Sequence, residues 1–545
     1  MRDRLVFALW EFLRIHTRQK IQAKEAAAML QINELTITHR KDLRVILENF
    51  NLVLNDGDKA VIIGEEGNGK STLMKWIYSP ALVEDYIEAN GVRILGNERP
   101  GYLPQELSPE QKDKSVYEFF TESDYFWNQS PKELAALAKD FRVDTDFFYR
   151  EQTMDSLSGG EKIKAQLMRL IMQEPTVLLL DEPSNDIDIA TLELLEKLIN
   201  DWKHIVLFIS HDETLIENTA NMVIHIEQIR RKTKPRYTAA KMPYRRYVEE
   251  RLHSFERQEQ QAINDRREKK IRDEKYRRIM QSVEHAQAVV SRQDPGTAKN
   301  LKDKMHTVKS MGRRFEREDE KMTGMPEQEE AIFFKLGHKA SEVQSGKTVI
   351  EYELPILEIP EEYGSGIKRV LAQNIFLKIR GPEKICIIGA NGAGKTTLIK
   401  KIAEELLART DLHAEYMPQN YEELLNLEMT PVDYLDKSGD KEERTRIRTY
   451  LGSLKYTTDE MEHPIRELSG GQKAKVLLLK MSLSDSNVLI LDEPTRNFSP
   501  LSGPVIRRMI KEYPGAVISI SHDRKYIEEV CDKVYELTAD GLVLR

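Results

Sequence analysis

The sequence predicts two α/β domains of the same construction, one after the other, joined by a long α-helical hairpin. Three observations predict it. The chain repeats itself, short apolar runs end in glycine-rich loops, and a basic stretch between the repeats carries apolar residues at helical spacing. The repeat is explicit. GEEGNGKST (Gly64 to Thr72) is matched by GANGAGKTT (Gly389 to Thr397), LSGGEK (Leu157 to Lys162) by LSGGQK (Leu468 to Lys473), and LLLDEP (Leu178 to Pro183) by LILDEP (Leu489 to Pro494). ISHD occurs at Ile209 to Asp212 and again at Ile520 to Asp523. Ser158 and Ser469, Asp181 and Asp492, and His211 and His522 are each 311 positions apart, so the back half of the unit is duplicated without a gap.

Each unit reads as buried strands alternating with amphipathic helices. Ala60 to Ile63 and Ile385 to Ile388 are short apolar runs that stop at glycines, as strands covered on both faces do. Val177 to Leu180 with Val488 to Leu491 form a second strand pair, and Ile205 to Ile209 with Ala516 to Ile520 a third. The repeated units are placed at residues 31–229 and 336–545, with a linker at 230–335. Residues 1–30 are charged and helix-prone, and either form a true N-terminal helix or precede a start at Met29.

In the linker, Tyr244, Tyr247, Val248, Leu252 and Phe255, then Ile279, Val283, Ala286 and Val290, lie on one helical stripe. Asp294-Pro295-Gly296 marks a turn. Leu301, Met305, Val308, Met311 and Phe315 form a second stripe, expected to face the first in an antiparallel hairpin. Wholly helical, residues 243–290 would span roughly 70 Å.

At 545 residues the chain exceeds one core, since domains run to roughly 100–200 residues. Its net charge of −8 excludes a uniformly basic nucleic-acid binder. Between Arg230 and Lys321, however, 27 Lys and Arg stand against 15 Asp and Glu, which leaves the remainder at −20. A basic segment inside an acidic chain points to a polyanionic partner for that segment. The two cysteines, Cys386 and Cys531, make no disulfide framework, and a reducing compartment is expected. No stretch approaches a membrane span, and the apolar run from Leu5 stops at Glu11, too short for a signal sequence.

The duplicated motifs carry phosphate chemistry. In G-x-x-x-x-G-K-[ST], Gly64, Gly67 and Gly69, and likewise Gly389, Gly392 and Gly394, let backbone N–H groups turn toward one point at a helix N-terminus, where anions are favoured. Lys70 and Lys395 supply charge to the phosphates, and Ser71 and Thr396, followed by Thr72 and Thr397, supply hydroxyls, the first of each pair toward Mg²⁺. Asp181 and Asp492 end buried strands, where a carboxylate is costly unless paired or bound to a cation. Glu182 and Glu493 follow, placed to polarise a water for in-line attack on the terminal phosphate. His211 and His522 end another strand 30 positions on. Alone, such a histidine is more often a capping or core residue, and Asp-Glu-Pro a plain turn. Duplication favours the functional reading.

This set in this order resembles the ATP-binding cassette ATPases, whose distinguishing signature is LSGG, across roughly three-quarters of the chain. The resemblance implies an α/β fold of two P-loop cassette domains in tandem and Mg²⁺-dependent ATP hydrolysis. It also implies two cassettes stacked head to tail, each ATP lying between one P-loop and the other cassette's signature. One site would then join Lys70, Ser71, Asp181, Glu182 and His211 to Ser469, Gly470 and Gly471. The second would join Lys395, Thr396, Asp492, Glu493 and His522 to Ser158, Gly159 and Gly160. Gln105, in YLPQ, and Gln419, in YMPQ, fit the family's glutamine loop near metal and attacking water. One chain would close on itself, as a monomer, around two ATP molecules.

Two departures stand out. The D-loop reads Ser184-Asn185-Asp186-Ile187-Asp188 in the first unit but Thr495-Arg496-Asn497-Phe498-Ser499 in the second, without the terminal acid, so unequal hydrolysis at the two sites is expected. No adenine-stacking aromatic stands at the start of the first unit, where His39 lies, and the preference for ATP over GTP stays open.

Two cassettes, no membrane span and a charged helical linker resemble the ABC-F family of ribosome-associated ATPases. Pro243-Tyr244-Arg245-Arg246-Tyr247 resembles that family's entry into the linker. The resemblance implies a cytoplasmic protein whose ATP-closed form binds the ribosomal tRNA exit site, with the linker directed at P-site tRNA and the peptidyl-transferase centre. Arg266, Arg267, Lys269, Lys270, Arg272, Lys275, Arg277 and Arg278 suit rRNA or tRNA phosphates. The alternative is a solvated charged face with pairs such as Glu268 and Arg272. Within the family, the short turn at Ser291 to Thr297 leans toward a general translation factor over an antibiotic-resistance factor. A tandem ATPase subunit of a membrane importer is the rival from another class, and it leaves the basic hairpin unexplained. A DNA machine of the SMC kind needs far longer arms.

Overall fold

In a computed structural model, residues 30–185, 187–229, 234–289, 295–319, 322, 323, 336, 346–358 and 370–545 are described. Residues 1–29 and the turn at 291–294 lie outside them. The chain forms two compact units, one built from residues up to 244 with those from 329 onward, the other from residues 245–328. No described helix is long and apolar enough to cross a membrane.

The first cassette opens with an antiparallel layer of β1 (Leu30–His39), β2 (Val45–Leu54) and, later, β4 (Ile87–Ile94), in the order β2-β1-β4. Its main sheet adds β3 (Lys59–Ile63), β5 (Pro100–Leu103), β6 (Val177–Asp181), β7 (Ile205–Ile209), β8 (Met222–Gln228) and β9 (Lys234–Ala240), in the order β5-β6-β7-β3-β8-β9. All neighbours in it are parallel except β8 and β9. Strands β6 and β7 are buried at every residue, which is why VLLLD and IVLFI read as continuous apolar runs without alternation. Four helices matter for the site: α1 (Lys70–Tyr78), α2 (Gly159–Met172), α3 (Ile189–Asp201) and α4 (Glu213–Thr219).

Helices α5 (Tyr244–Val289) and α6 (Pro295–Asp319) make the hairpin. At ~1.5 Å per residue the 46 residues of α5 extend about 69 Å. The expected facing of two apolar stripes holds only in part. Val308 is buried, but Leu252 and Ile279 are exposed. The seam near the open end is polar and aromatic instead. Arg272 reaches Glu318 at 3.3 Å and also pairs with Asp319, Lys269 meets Asp319 at 2.8 Å, and Arg272 lies over the Phe315 ring, which packs edge-on against Tyr276. A guanidinium covers apolar area with its stem and plane, so a helix this rich in Arg closes without a continuous apolar stripe. Arg272 thus pairs across the hairpin with Glu318 and Asp319, beyond the simple i,i+4 face.

The second cassette repeats the plan. Strands β10 (Thr348–Glu358) and β11 (Val370–Arg380) pair antiparallel. The main sheet runs β13-β14-β15-β12-β16-β17, from β12 (Lys384–Ile388), β13 (Ala414–Met417), β14 (Val488–Asp492), β15 (Ala516–Ile520), β16 (Lys533–Thr538) and β17 (Gly541–Leu544). Its helices α7 (Lys395–Leu407), α8 (Gly470–Leu483), α9 (Gly503–Lys511) and α10 (Arg524–Val530) correspond to α1 to α4. In both sheets the strand that feeds the glycine loop is third from the end, flanked by the strand that leads to His211 or His522. The chemistry-bearing loops therefore leave the same end of the sheet, outside the carboxyl ends of its parallel strands.

Candidate active sites

The two glycine loops have the same geometry. Gly64 and Gly389 hold φ of 145° and 147°, and a Cβ at Gly64 would meet the Ile226 carbonyl oxygen at 2.2 Å, so no other residue fits. Gly67 and Gly392, then Gly69 and Gly394, also hold positive φ, and α1 and α7 start directly at Lys70 and Lys395. Lys70 Nζ donates to the carbonyls of Gly64 and Glu65 at 2.8 and 3.0 Å, and Lys395 Nζ to those of Gly389 and Ala390 at 2.9 and 3.0 Å. Each ammonium is thus held over its own loop, among the backbone amides of a helix start. Thr72 and Thr397 lie in the first turns behind them.

At the next strand ends, Ser71 Oγ donates to Asp181 at 2.9 Å and Thr396 hydrogen-bonds Asp492. Burial pushes both aspartates up, Asp492 to about 6, and Asp492 Oδ2 is buried without a hydrogen-bond partner among the described residues. A hydroxyl and a carboxylate side by side, the latter with a spare buried oxygen, form a donor set that fits Mg²⁺, which takes few protein ligands beside phosphate. Tyr102, quoted in YLPQ only for the glutamine that follows it, donates its hydroxyl to Asp181 Oδ2 at 3.1 Å. Sequence reasoning passed over this contact.

Glu182 and Glu493 both hold left-handed backbone, with φ of 50° and 55°. For a non-glycine residue that conformation costs on the order of 1 kcal/mol, and its appearance at both copies marks an over-determined position. Their surroundings differ. Glu182 accepts from Gln105 at 3.3 Å and Asn185 at 2.6 Å, and sits 3.1 Å from His211 Nε2. Burial alone would raise its carboxyl, but the charge and hydrogen bond of His211, with Lys70 and Asn185, hold it down at about 2. The Glu493 carboxylate accepts the His522 backbone N–H at 3.3 Å, and His522 Nε2 lies at 3.8 Å. Burial, aided by the Asp492 charge, lifts it to about 8, while burial and Lys395 depress His522 to about 4.

The two halves share one compact unit, in which Gly471 of the second signature contacts the first P-loop and Gly159 of the first signature lines a cavity with Lys395. Ser158 and Ser469 cap α2 and α8, each closing a capping box with Glu161 or Gln472, so the serines also start their helices. Around the Lys70 loop the faces meet closely. The Glu66 carboxylate accepts the Gly471 N–H at 2.7 Å, Lys475 pairs with Glu65 at 3.2 Å, and His211 Nδ1 lies 2.6 Å from the Phe498 carbonyl. A Cβ on Gly471 would lie 2.6 Å from the Asn497 carbonyl oxygen, so the approach needs glycine. Around the Lys395 loop a cavity of about 920 Å³ separates the faces, lined by Gly159, Asn185, Lys395, Thr396, Gln419 and His522 among others. Here His522 Nδ1 is buried with no hydrogen-bond partner among the described residues. Asp186 of the first D-loop is outside the described residues. His39, near the place expected for a base-stacking aromatic, binds Asp42 at 2.8 Å, while Arg44 reaches the Gly67 carbonyl at 3.3 Å.

Glycine loops, strand-end carboxylates and signature helices facing across two halves define a tandem ATP-binding cassette ATPase. A family model described as ABC transporter matches residues 47–185 and 372–496, once in each half. The chain is 27% identical over 546 residues to the ATP-binding protein Uup of Escherichia coli, covering 92% of this chain and 79% of Uup. It is 26% identical over 529 residues to the ribosome protection protein VmlR of Bacillus subtilis, covering 94% and 88%. To the uncharacterized ABC transporter ATP-binding protein YfmM of Bacillus subtilis it is 26% identical over 554 residues, covering 93% and 98%. Among solved structures, an archaeal ribosome recycling factor, aABCE1, in complex with the stalk protein aP1, shares the fold at a TM-score of 0.54 and 18% identity, covering 92% of this chain and 87% of that one. Both halves therefore carry an ATP-binding cassette, the chain is similar to the ABC-F proteins, and it hydrolyses ATP.

Proposed function

We propose that this protein is a cytoplasmic, ribosome-binding ATPase that closes around two ATP molecules and uses its hairpin on tRNA-bound ribosomes. In this reading Lys70 with Ser469, Gly470 and Gly471, and Lys395 with Ser158, Gly159 and Gly160, hold the phosphates of one ATP each. Ser71, Asp181 and Gln105, and Thr396, Asp492 and Gln419, hold Mg²⁺, which when bound neutralises phosphate charge. Glu182 and Glu493 orient and deprotonate the attacking water. His211 and His522 hold those glutamates and reach the terminal phosphate. The observation that carries the two-site reading is the Glu66–Gly471 contact, which joins one half's phosphate loop to the other half's signature.

The ribosomal half of the reading rests on the hairpin, whose exposed Lys and Arg suit RNA phosphate, and on relatives whose printed names include a ribosome protection protein. In it the closed form occupies the tRNA exit site and the hairpin reaches P-site tRNA and the peptidyl-transferase centre. A general role in translation is the first form of the proposal. A drug-protection role is the second, favoured by VmlR, which matches over nearly the whole chain. Sedimentation of Glu182→Gln/Glu493→Gln with ribosomes, with and without ATP and at two salt concentrations, tests both. ATP-dependent, salt-sensitive co-sedimentation is expected. No association at low salt refutes the ribosomal reading and leaves the ATPase standing.

A further inference from the structure

The contact between the cassettes carries a charge pattern that none of the nucleotide chemistry uses. Apply the 311-position offset of the repeat to the seam beside the two histidine loops. Glu196 on α3 corresponds to Arg507 on α9, Glu213 on α4 to Arg524 on α10, and Thr214 to Lys525. At each of these positions the two copies differ in charge, and at two of them the sign is opposite.

The seam pairs them crosswise. Arg524 binds Glu196, and Arg507 lies 2.9 Å from Glu213. In repeat coordinates these are one contact seen twice, position 196 of one half on position 213 of the other and the reverse. That is the signature of a two-fold axis, in which residue i meets j and j meets i. Lys525 adds bonds to Glu213 at 3.0 Å and Glu217 at 2.6 Å, and Arg524 lies 3.6 Å from Asp212. Arg507 and Glu213 are almost fully buried, with side-chain exposures of 3% and 10%, so screening is weak there.

A two-fold seam offers the same surface to three pairings. Two first cassettes would set Glu196 against Glu213 twice, and two second cassettes Arg507 against Arg524 twice. Like charges buried together are strongly unfavourable. Only first with second brings opposite charges together at every position.

We infer that Glu196, Glu213, Arg507, Arg524 and Lys525 form a pairing code by which the first cassette accepts only a second cassette of this chain and rejects a copy of itself. Repeats that fold alike risk pairing alike, and a device that penalises the wrong partner settles the choice where attraction alone does not. The code acts on cassette closure and touches neither phosphate loop.

Full-length variants test it. Glu196→Arg/Glu213→Arg/Thr214→Lys makes both halves basic at the seam, and Arg507→Glu/Arg524→Glu/Lys525→Thr makes both acidic. Each is expected to lose at least roughly ten-fold in ATP turnover, with little recovery at high salt because the seam is buried. Arg507 also binds Glu529 of its own half at 2.8 Å, and the counterpart of Glu529 is Asn218. Combining all six substitutions with Asn218→Glu and Glu529→Asn therefore exchanges the code between halves and is expected to restore turnover to within about three-fold of wild type, with the wild-type melting temperature. Triple variants as active as wild type would overturn the code. So would a full exchange no more active, or no better folded, than either triple variant.

Discussion

Glu66 occupies a position that the second loop fills with Asn391, and its carboxylate already holds the Gly471 amide at 2.7 Å. An amide N–H takes one strong acceptor, so a phosphate oxygen arriving there must displace the carboxylate. A hydrogen bond with one charged partner contributes about 1.5–3 kcal/mol, and 1.4 kcal/mol is ten-fold in affinity. Glu66→Gln keeps the shape and an acceptor but removes the charge, so the displacement becomes easier by about 1–2 kcal/mol. The expected result is a drop of roughly ten-fold in the apparent Kd for ATP at the Lys70 site. Binding of a fluorescent ATP analogue in a Lys395→Ala background isolates that site, and Gly471→Ala serves as a control that should abolish the benefit. Unchanged or weaker binding in Glu66→Gln would show that the carboxylate does not compete with nucleotide, and the reasoning would fail.

Two further predictions follow from the same geometry. Glu493, lifted to about 8 by burial and the Asp492 charge, keeps a proton in the folded chain at pH values where the unfolded carboxyl has lost it. The folded state therefore binds more protons, and stability falls as pH rises toward 8. Between pH 6.5 and 8.5, above the window of His522, this slope amounts to about 2 kcal/mol, and Glu493→Gln should remove it. Urea unfolding of both proteins across that range reads the difference, and equal slopes would refute the assignment. Tyr102→Phe deletes the 3.1 Å bond to Asp181 and should raise the Mg²⁺ concentration for half-maximal turnover several-fold, with a loss of stability of only about 1 kcal/mol. A Mg²⁺ requirement equal to wild type would show that Tyr102 does not position Asp181.

Much of this was legible because the chain contains its own comparison. Buried parallel strands write continuous apolar runs, glycine loops write fixed spacings, and a second copy removes the coincidence from both. The parts that stayed hidden share a physical cause. The Phe498 carbonyl that meets His211 is a backbone group, carried equally by any residue. Glu65 and Glu66 fall where the motif allows any side chain, so no pattern distinguishes them. The hairpin seam at Arg272, Phe315 and Asp319 uses the stem and plane of an arginine, which a reading by apolar period treats as solvent-facing. The left-handed backbone at Glu182 and Glu493 has no sequence signature without glycine.

Where the two copies agree and where they differ then divides the molecule by role. Lys70 and Lys395, Asp181 and Asp492, and Ser158 and Ser469 agree, and they sit on equivalent strands and helix starts. Several of the differences fall on the faces that meet. Glu66 stands against Asn391 at the phosphate loop, Ser499 against Asp188 at the D-loop, and Arg507 and Arg524 against Glu196 and Glu213 at the seam. A shared mechanism with unlike faces is what a molecule needs if its halves are to bind the same nucleotide and still act in a fixed order. The geometry runs the same way: one site is bridged by Glu66 and ordered around Glu182, while the other keeps a cavity of about 920 Å³ and a histidine nitrogen without a partner among the described residues. Closing the second site requires its faces to approach and His522 Nδ1 to find an acceptor, and the repeat offset points to the carbonyl of Ile187, the counterpart of Phe498. On the proposed two-site reading, ATP at that site would bring the cassettes together, whereas at the first it would replace a contact already made.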